Sequence, residues 1–343
     1  MLCPNVEHNL SWKVTGSVSP CNNIVGFPKF FSVKDMLDSK EYNSLLENNT
    51  NEVRSTYCTR CWDKENLNLK SKRQSDLSLH NIYSSFDQNY LKIDSAIGDK
   101  CNAACTICGP YSSSTWQKFI PISSYDNKSE VWDICNKESN RLIQLDFGGG
   151  EPWLNSVDEQ IKLFELLIDK NISQRIKIRY NTNGSVFPKK LLNLLTNFNE
   201  VEITLSLDDI ETRFEYNRWP LKWSFVEKNL SKLKQLRAEY KQINLTVNFT
   251  VSVFTWHRAD EFIKWASAND LTNVNFNILS SPEVFSIKSL PTKFKNISTK
   301  FDELVSSTPM PNWEHEFLRT VNELDAVRNI SWKTAFPELE SMI

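Results

Sequence analysis

The sequence predicts an α/β fold: six short strands alternating with helices in a parallel sheet, a small cysteine-rich module before it and a helical segment after it. Three observations carry this. From about residue 89 to 285, apolar β-branched runs alternate with amphipathic stretches of helical length, the signature of parallel strands joined by helical crossovers and of a twisted sheet or partial barrel. Four cysteines fall within the first 88 residues, a stretch too polar to bury much core unaided, so that metal binding would supply part of its folding free energy. Residues 286–343 read as two helices, around 294–307 and 313–327, that cover an open edge of the sheet.

In chain order, residues 90–94 form the first strand, and a helix over 112–119 follows its loop. The second strand, 142–147, leads to a helix over 156–169, and the third, 176–180, to one over 189–197. The fourth, 201–205, leads to a helix over 224–240. The fifth and sixth, 243–253 and 274–279, flank a helix over 259–268. In the first module a helix over 34–48 separates Cys3 and Cys21 from the knuckle Cys58-Thr59-Arg60-Cys61.

Composition narrows the function classes. The 343 residues carry a net charge of −2 with basic and acidic residues interspersed, so there is no electrostatic footprint for nucleic acid. No apolar run is long enough to span a bilayer, and Met1-Leu2-Cys3-Pro4-Asn5 lacks the charged and apolar regions of a signal peptide. The expectation is a cytoplasmic protein, in which eight cysteines are better explained by metal ligation than by disulfides.

The cysteines divide by chemistry. Cys3, Cys21, Cys58 and Cys61 are the number needed to close a zinc site or a four-iron cluster, with four free thiols as the bland alternative. Cys101, Cys105 and Cys108 lie directly after the first strand. Three thiolates so spaced can hold one iron–sulfur cluster and leave one iron without a protein ligand, open to a substrate or cofactor. Cys135 sits in an apolar helical segment and reads as a small buried residue. His8, His80, His257 and His315 show no ligand spacing.

Every other unusual motif also follows a strand. Gly148-Gly149-Gly150-Glu151-Pro152 ends the second, Asn181-Thr182-Asn183-Gly184 the third, and Ser206-Leu207-Asp208-Asp209 the fourth. Alone, each is an ordinary turn or helix cap. Together they decorate the carboxyl ends of parallel strands, where α/β folds bind ligands. Trp153, just past Glu151, could line such a site.

In this order and spacing, C-x3-C-x2-C, Gly-Gly-Glu-Pro, Asn-Gly and Ser-Leu-Asp resemble the radical S-adenosylmethionine (radical SAM) superfamily over roughly residues 89–285. Ile107 stands where that family often has an aromatic residue. The resemblance implies a partial (β/α)6 parallel barrel. It also implies a [4Fe-4S] cluster on Cys101, Cys105 and Cys108, and S-adenosylmethionine (SAM) chelating the open iron through its amino and carboxylate groups. Reductive cleavage of SAM would give methionine and a 5′-deoxyadenosyl radical that takes hydrogen from a substrate. Gly149 and Gly150 would allow close backbone approach, and Glu151 would accept from the methionine ammonium. Asn183, Ser206 and Asp208 would hydrogen-bond the ribose or carboxylate, and Arg218 would approach the SAM carboxylate.

The first module, with Gly16 ahead of Cys21 and with Trp62 and Glu65 after the knuckle, resembles the auxiliary-cluster modules called twitch or SPASM. This implies a second, auxiliary [4Fe-4S] cluster on Cys3, Cys21, Cys58 and Cys61, its full ligation favouring electron relay. The domains expected are thus 1–88, 89–285 and 286–343. The resemblance implies a peptide substrate, or else a small-molecule alcohol or aminosugar, and a reductant such as flavodoxin or ferredoxin. A non-catalytic iron–sulfur or zinc protein is the alternative from another class. It accounts for the cysteines but leaves the glycine and asparagine turns without a task.

Overall fold

The computed structural model describes residues 2–66, 70–122, 129–295, 297, 301–305 and 309–343. Eight strands are hydrogen-bonded in the order β2-β1-β3-β4-β5-β6-β7-β8: β1 (Asn9–Trp12), β2 (Val18–Ser19), β3 (Leu91–Ala96), β4 (Leu142–Gly148), β5 (Lys177–Thr182), β6 (Glu200–Ser206), β7 (Ile243–Val251) and β8 (Val274–Ile278). The pairs β1–β3, β3–β4, β4–β5 and β7–β8 are parallel, and β1–β2 is antiparallel. The six expected strands are β3 to β8, and a mostly parallel α/β sheet is what the alternating pattern dictated.

The helices relevant below are α1 (Val33–Leu37), α2 (Lys40–Thr50), α3 (Thr59–Asn66), α4 (Lys72–Phe86), α5 (Ser129–Lys137), α6 (Val157–Asp169), α7 (Lys189–Leu195), α8 (Glu211–Asn217), α9 (Trp223–Glu239), α10 (Ala259–Ala268) and α11 (Trp313–Arg328). Helices α6, α7, α9, α10 and α11 lie where hydrophobic periodicity placed them. Cys135 on α5 is fully buried.

Elsewhere local chemistry overrode periodicity. The single helix expected over 34–48 is two, because the Ser39 hydroxyl accepts from the Tyr42 N–H and starts α2 afresh. The helix expected over 112–119 is instead a pair of 3₁₀ turns, Pro110–Ser112 and Trp116–Lys118. Helix α4, opened by a capping box between Ser71 and Gln74, was not anticipated from its polar sequence. The helix expected over 294–307 falls partly outside the described residues, which show 3₁₀ turns at Thr292–Phe294 and Asp302–Leu304.

The chain divides into two compact units. The first comprises Met1–Lys100, Ser123–Tyr180 and Pro188–Val201. Here one face of the sheet presents Ile93, Leu145, Phe147, Ile178 and Tyr180, each at most 2% exposed, and Phe147 stacks on Tyr180. The alternate positions carry charge, as strand pleating requires. Register aligns Lys92 with Gln144, and Asp94 with Asp146 and then Arg179. Lys92 reaches Asp76 on α4 at 2.5 Å and the Asn5 amide oxygen at 3.0 Å. Residues 1–88 therefore supply two strands to the sheet and, through Asp76, a counter-charge to its polar face.

The second unit comprises Cys101–Ile122, Asn181–Phe187 and Glu202–Ile343. Val226, Leu230 and Leu233 of α9 are buried at helical spacing. An aromatic cluster of Phe254, Phe285, Phe317 and Phe336 packs the C-terminal segment.

On the polar face of the first unit, burial and then the Asp146 charge push the Asp94 carboxyl up to about 6. A raised acid favours folding while protonated, and that contribution is lost as pH rises from about 4 through 6. Asp94→Asn should flatten this limb of the stability profile, and urea midpoints at pH 4.5 and 7.5 measure it.

Candidate functional site

The cysteine loop lies in the second unit and has almost no regular structure of its own, so its backbone groups are paired from outside. The Ala104 N–H donates to the Trp219 carbonyl at 2.6 Å, and the Thr106 N–H to the Asn217 carbonyl at 2.9 Å. The end of α8 is thus laid along the loop. On another side the residues 113–116, expected to be helical, spend their side chains on loop carbonyls. Ser113 donates to Ala103 at 2.5 Å, Thr115 to Cys101 at 2.7 Å and the Trp116 indole to Cys105 at 3.0 Å. Such bonds compete with helix formation, which is why the helix is missing.

Between Asn217 and Trp219, the side chain of Arg218 turns to the sulfur of Cys105 at 3.7 Å and pairs with Asp208 at 2.5 Å. Asp208 also accepts from the Thr250 N–H at 2.8 Å. Burial opposes the charge of Arg218, but Asp208 and then the two thiols outweigh it and hold the guanidinium firmly protonated. Asp208 and Arg218, read separately from the sequence, are thus partners in one buried ion pair beside a cysteine.

The asparagine turn joins the same loop. The Asn183 amide donates to the Asn102 side chain at 3.0 Å and its oxygen accepts from both the Ser185 N–H and hydroxyl, while Asn102 donates to the Ser185 hydroxyl at 2.8 Å. Gly184 has φ +74°, a conformation that strains any side chain, and a Cβ there would press on Leu205 at 3.1 Å. Ser206 ends β6, half-exposed. Asn102 and Ser185 escaped sequence reasoning because each is an unremarkable polar residue until the turns are brought together.

Burial pushes the Cys108 thiol up to about 11, with the neighbouring Cys105 adding to it. A thiolate here is costly until a cation compensates it.

The glycine–glutamate turn belongs to the first unit. It is bonded to residues 97–100, which run directly into Cys101: Ile97 N–H to Gly148, Gly150 N–H to Gly98 and Glu151 N–H to Lys100. A Cβ on Gly149 would lie 2.5 Å from the Gly98 carbonyl, and one on Gly150 2.5 Å from that of Lys100. Both glycines are required by this close approach. Glu151 is fully buried and accepts from the Trp153 N–H at 3.1 Å. Trp153, 1% exposed, packs against Tyr180 in the core of its own unit.

Also in the first unit, Cys3, Cys21, Cys58 and Cys61 line one pocket with Ile24, Leu45 and Arg73. Three segments deliver them: the chain before the helical turn Asn5–His8, the residues just past β2, and the 3₁₀ turn Thr56–Cys58 running directly into α3. Asn49 fixes the first by accepting from the Cys3 N–H at 2.6 Å. Arg73 ties them together. It donates to Glu65 twice, at 2.9 and 2.7 Å, and to the Leu2 carbonyl at 2.8 Å, and it covers the Trp62 ring. Burial pushes Cys3 and Cys58 up to about 12.

The thiol-rich donor sets suit soft or iron–sulfur metal chemistry. Among the described residues no three His, Cys, Asp or Glu side chains close on a single ion.

Over 119 residues the chain is 28% identical to a GTP 3′,8-cyclase of Corynebacterium glutamicum, a stretch covering 34% of this chain and 31% of that protein. Among solved structures it is similar to native anSMEcpe with bound AdoMet, at TM-score 0.42 and 21% identity over 68% of this chain and 60% of that one. It is also similar to Streptococcus suis SuiB, at 0.42 and 13% over 87% and 64%. A third is the radical S-adenosylmethionine methyltransferase TsrM of Kitasatospora setae with cobalamin and a [4Fe-4S] cluster bound, at 0.36 and 13% over 52% and 34%. Each match spans less than two thirds of the other protein. No protein-family profile matches the chain. By its ordered motifs and its mostly parallel α/β sheet, the chain resembles the radical SAM enzymes. No helix among the described residues is long and apolar enough to cross a membrane.

Because the Gly150 Cβ position is filled by the backbone just before Cys101, Gly150→Ala should displace that backbone. The urea midpoint should fall by the equivalent of about 1–3 kcal/mol, the usual cost of forcing an extra carbon into a filled contact.

Proposed function

We propose that this chain is a radical SAM enzyme with an auxiliary iron–sulfur cluster. The observation that carries the reading is the cysteine loop. Its three thiols lie within eight residues, its backbone is bonded on two sides, and a paired arginine rests on Cys105. Cys101, Cys105 and Cys108 would hold a [4Fe-4S] cluster, which when bound supplies an electron to the sulfonium of SAM and yields the hydrogen-abstracting 5′-deoxyadenosyl radical.

The remaining roles belong to the chain's own groups. Gly149 and Gly150, packed against the 96–100 backbone, would hold the turn that presents Glu151, a buried acceptor suited to the SAM ammonium group. Asn183 and Ser206 sit on turns suited to the ribose hydroxyls. Asp208, shared with Arg218, would act with that arginine at the SAM carboxylate or ribose and hold the charge beside Cys105. In the 1–88 module, Cys3, Cys21, Cys58 and Cys61 would hold the auxiliary [4Fe-4S] cluster and relay an electron. The 89–285 region would form the catalytic domain and 286–343 its C-terminal extension. The substrate is a peptide on this reading, with a small-molecule alcohol or aminosugar second, and a flavodoxin or ferredoxin the reductant.

Anaerobic reconstitution should load about eight irons per chain, the content of two cubanes, and reduction with SAM should release 5′-deoxyadenosine. A loaded protein that releases none with several reductants would refute the proposal. Cys105→Ala should abolish that release, since two thiolates do not hold the cubane.

The auxiliary site is tested by turnover. Cys58→Ala should leave SAM cleavage in place and impair conversion of a substrate found by deuterium transfer into 5′-deoxyadenosine. Normal conversion in that variant would rule out the relay.

A further inference from the structure

The C-terminal helix α11 ends in an arginine whose surroundings are unusual. Arg328 is 2% exposed. Its guanidinium donates to the Ala104 carbonyl, to the Thr106 hydroxyl at 3.1 Å and to the Tyr216 carbonyl at 3.4 Å, and lies 5.1 Å from the centre of the Trp116 ring. It therefore grips the two residues flanking Cys105, the α8 segment laid along the loop, and the indole that caps the Cys105 carbonyl. Asp325, one turn back on α11, accepts from the Tyr216 hydroxyl at 2.8 Å and the Trp332 N–H at 2.7 Å, which fixes the helix end in place.

Every acceptor of Arg328 is electrically neutral, and among the described residues no carboxylate forms an ion pair with it. A guanidinium withdrawn from water in this way is costly unless an anion compensates it. Burial pulls the group down to about 10, opposed in part by the Asp325 carboxylate. Arg218, at the end of α8 beside the same loop, has Asp208 as its counter-charge. Besides Asp325, whose oxygens are taken by the Tyr216 hydroxyl and the Trp332 N–H, the nearby groups that would carry negative charge together are the thiolates of the loop.

We propose that Arg328 is a positioning residue for the cysteine loop, its counter-charge being the anionic cluster held by Cys101, Cys105 and Cys108. This rests on the radical SAM reading above. A fixed cation in a low-dielectric setting stabilises the more negative, reduced state of the cluster and so raises its reduction potential. Arg328 thereby makes the C-terminal extension a part of the redox site.

The test compares Arg328→Met and Arg328→Lys with the parent after anaerobic reconstitution. The first readout is the midpoint potential of the cluster whose electron paramagnetic resonance signal responds to SAM. The second is amide hydrogen exchange of residues 104–106 in the same proteins before reconstitution. Arg328→Met should shift the potential to more negative values and speed exchange about tenfold, whereas Arg328→Lys, keeping charge but losing the fork, should restore the potential and not the exchange protection. If Arg328→Met does not fold, Arg328→Lys carries the test by that split. A loaded Arg328→Met protein with the parent's potential, or an Arg328→Lys potential as low as that of Arg328→Met, would overturn the inference while leaving the enzyme reading intact. Failure of the parent loop to take up iron would overturn the enzyme reading and this inference with it.

Discussion

The second unit is organised around pairing an irregular loop. Residues 101–108 present backbone donors and acceptors that no helix or strand satisfies, and leaving them unpaired when buried would cost about 1–3 kcal/mol each. The Asn217 and Trp219 carbonyls, the Ser113 and Thr115 hydroxyls, the Trp116 indole and the Arg328 guanidinium take them up. They come from three separate places in the chain: 113–116, 217–219 and Arg328. The loop holds its shape because helices α8 and α11 and the 113–116 segment are already fixed by their own packing.

Electrostatics follow from that frame. Two guanidiniums approach the loop, one at the Cys105 sulfur and one behind its backbone, and only the first is neutralised by a carboxylate. The excess positive charge is what a cluster ligated by three thiolates would meet. The first unit uses the same device at its four-thiol pocket, where Arg73 is held by Glu65 and lies over Trp62. In both places a planar guanidinium held by several contacts is a more fixed charge than a lysine would be.

Much of the site was legible because its parts are local. Spacing of three and two residues places three cysteines on one short loop whatever surrounds them. Glycines at 149 and 150 announce a close approach that the Gly98 and Lys100 carbonyls then supply. Helix periodicity located α6, α7, α9, α10 and α11, while α4 escaped because few of its side chains are buried. The strand β1 escaped because four residues carry too little pattern, and its identity depends on pairing with β3 some eighty residues later. The helix expected over 112–119 failed for a functional reason, its polar side chains serving the loop.

By itself the sequence determined the alternation of strands and helices, the thiol sets and the turns at strand ends, since each depends on neighbours within a few residues. Only the tertiary structure decided which polar groups meet. Asp208 with Arg218, Asn102 with Asn183 and Ser185, Glu65 with Arg73, and Arg328 with the cysteine loop are pairings across up to 224 positions. Hydrogen bonds and ion pairs act over a few ångströms, and chain separation says nothing about which of them packing will bring together.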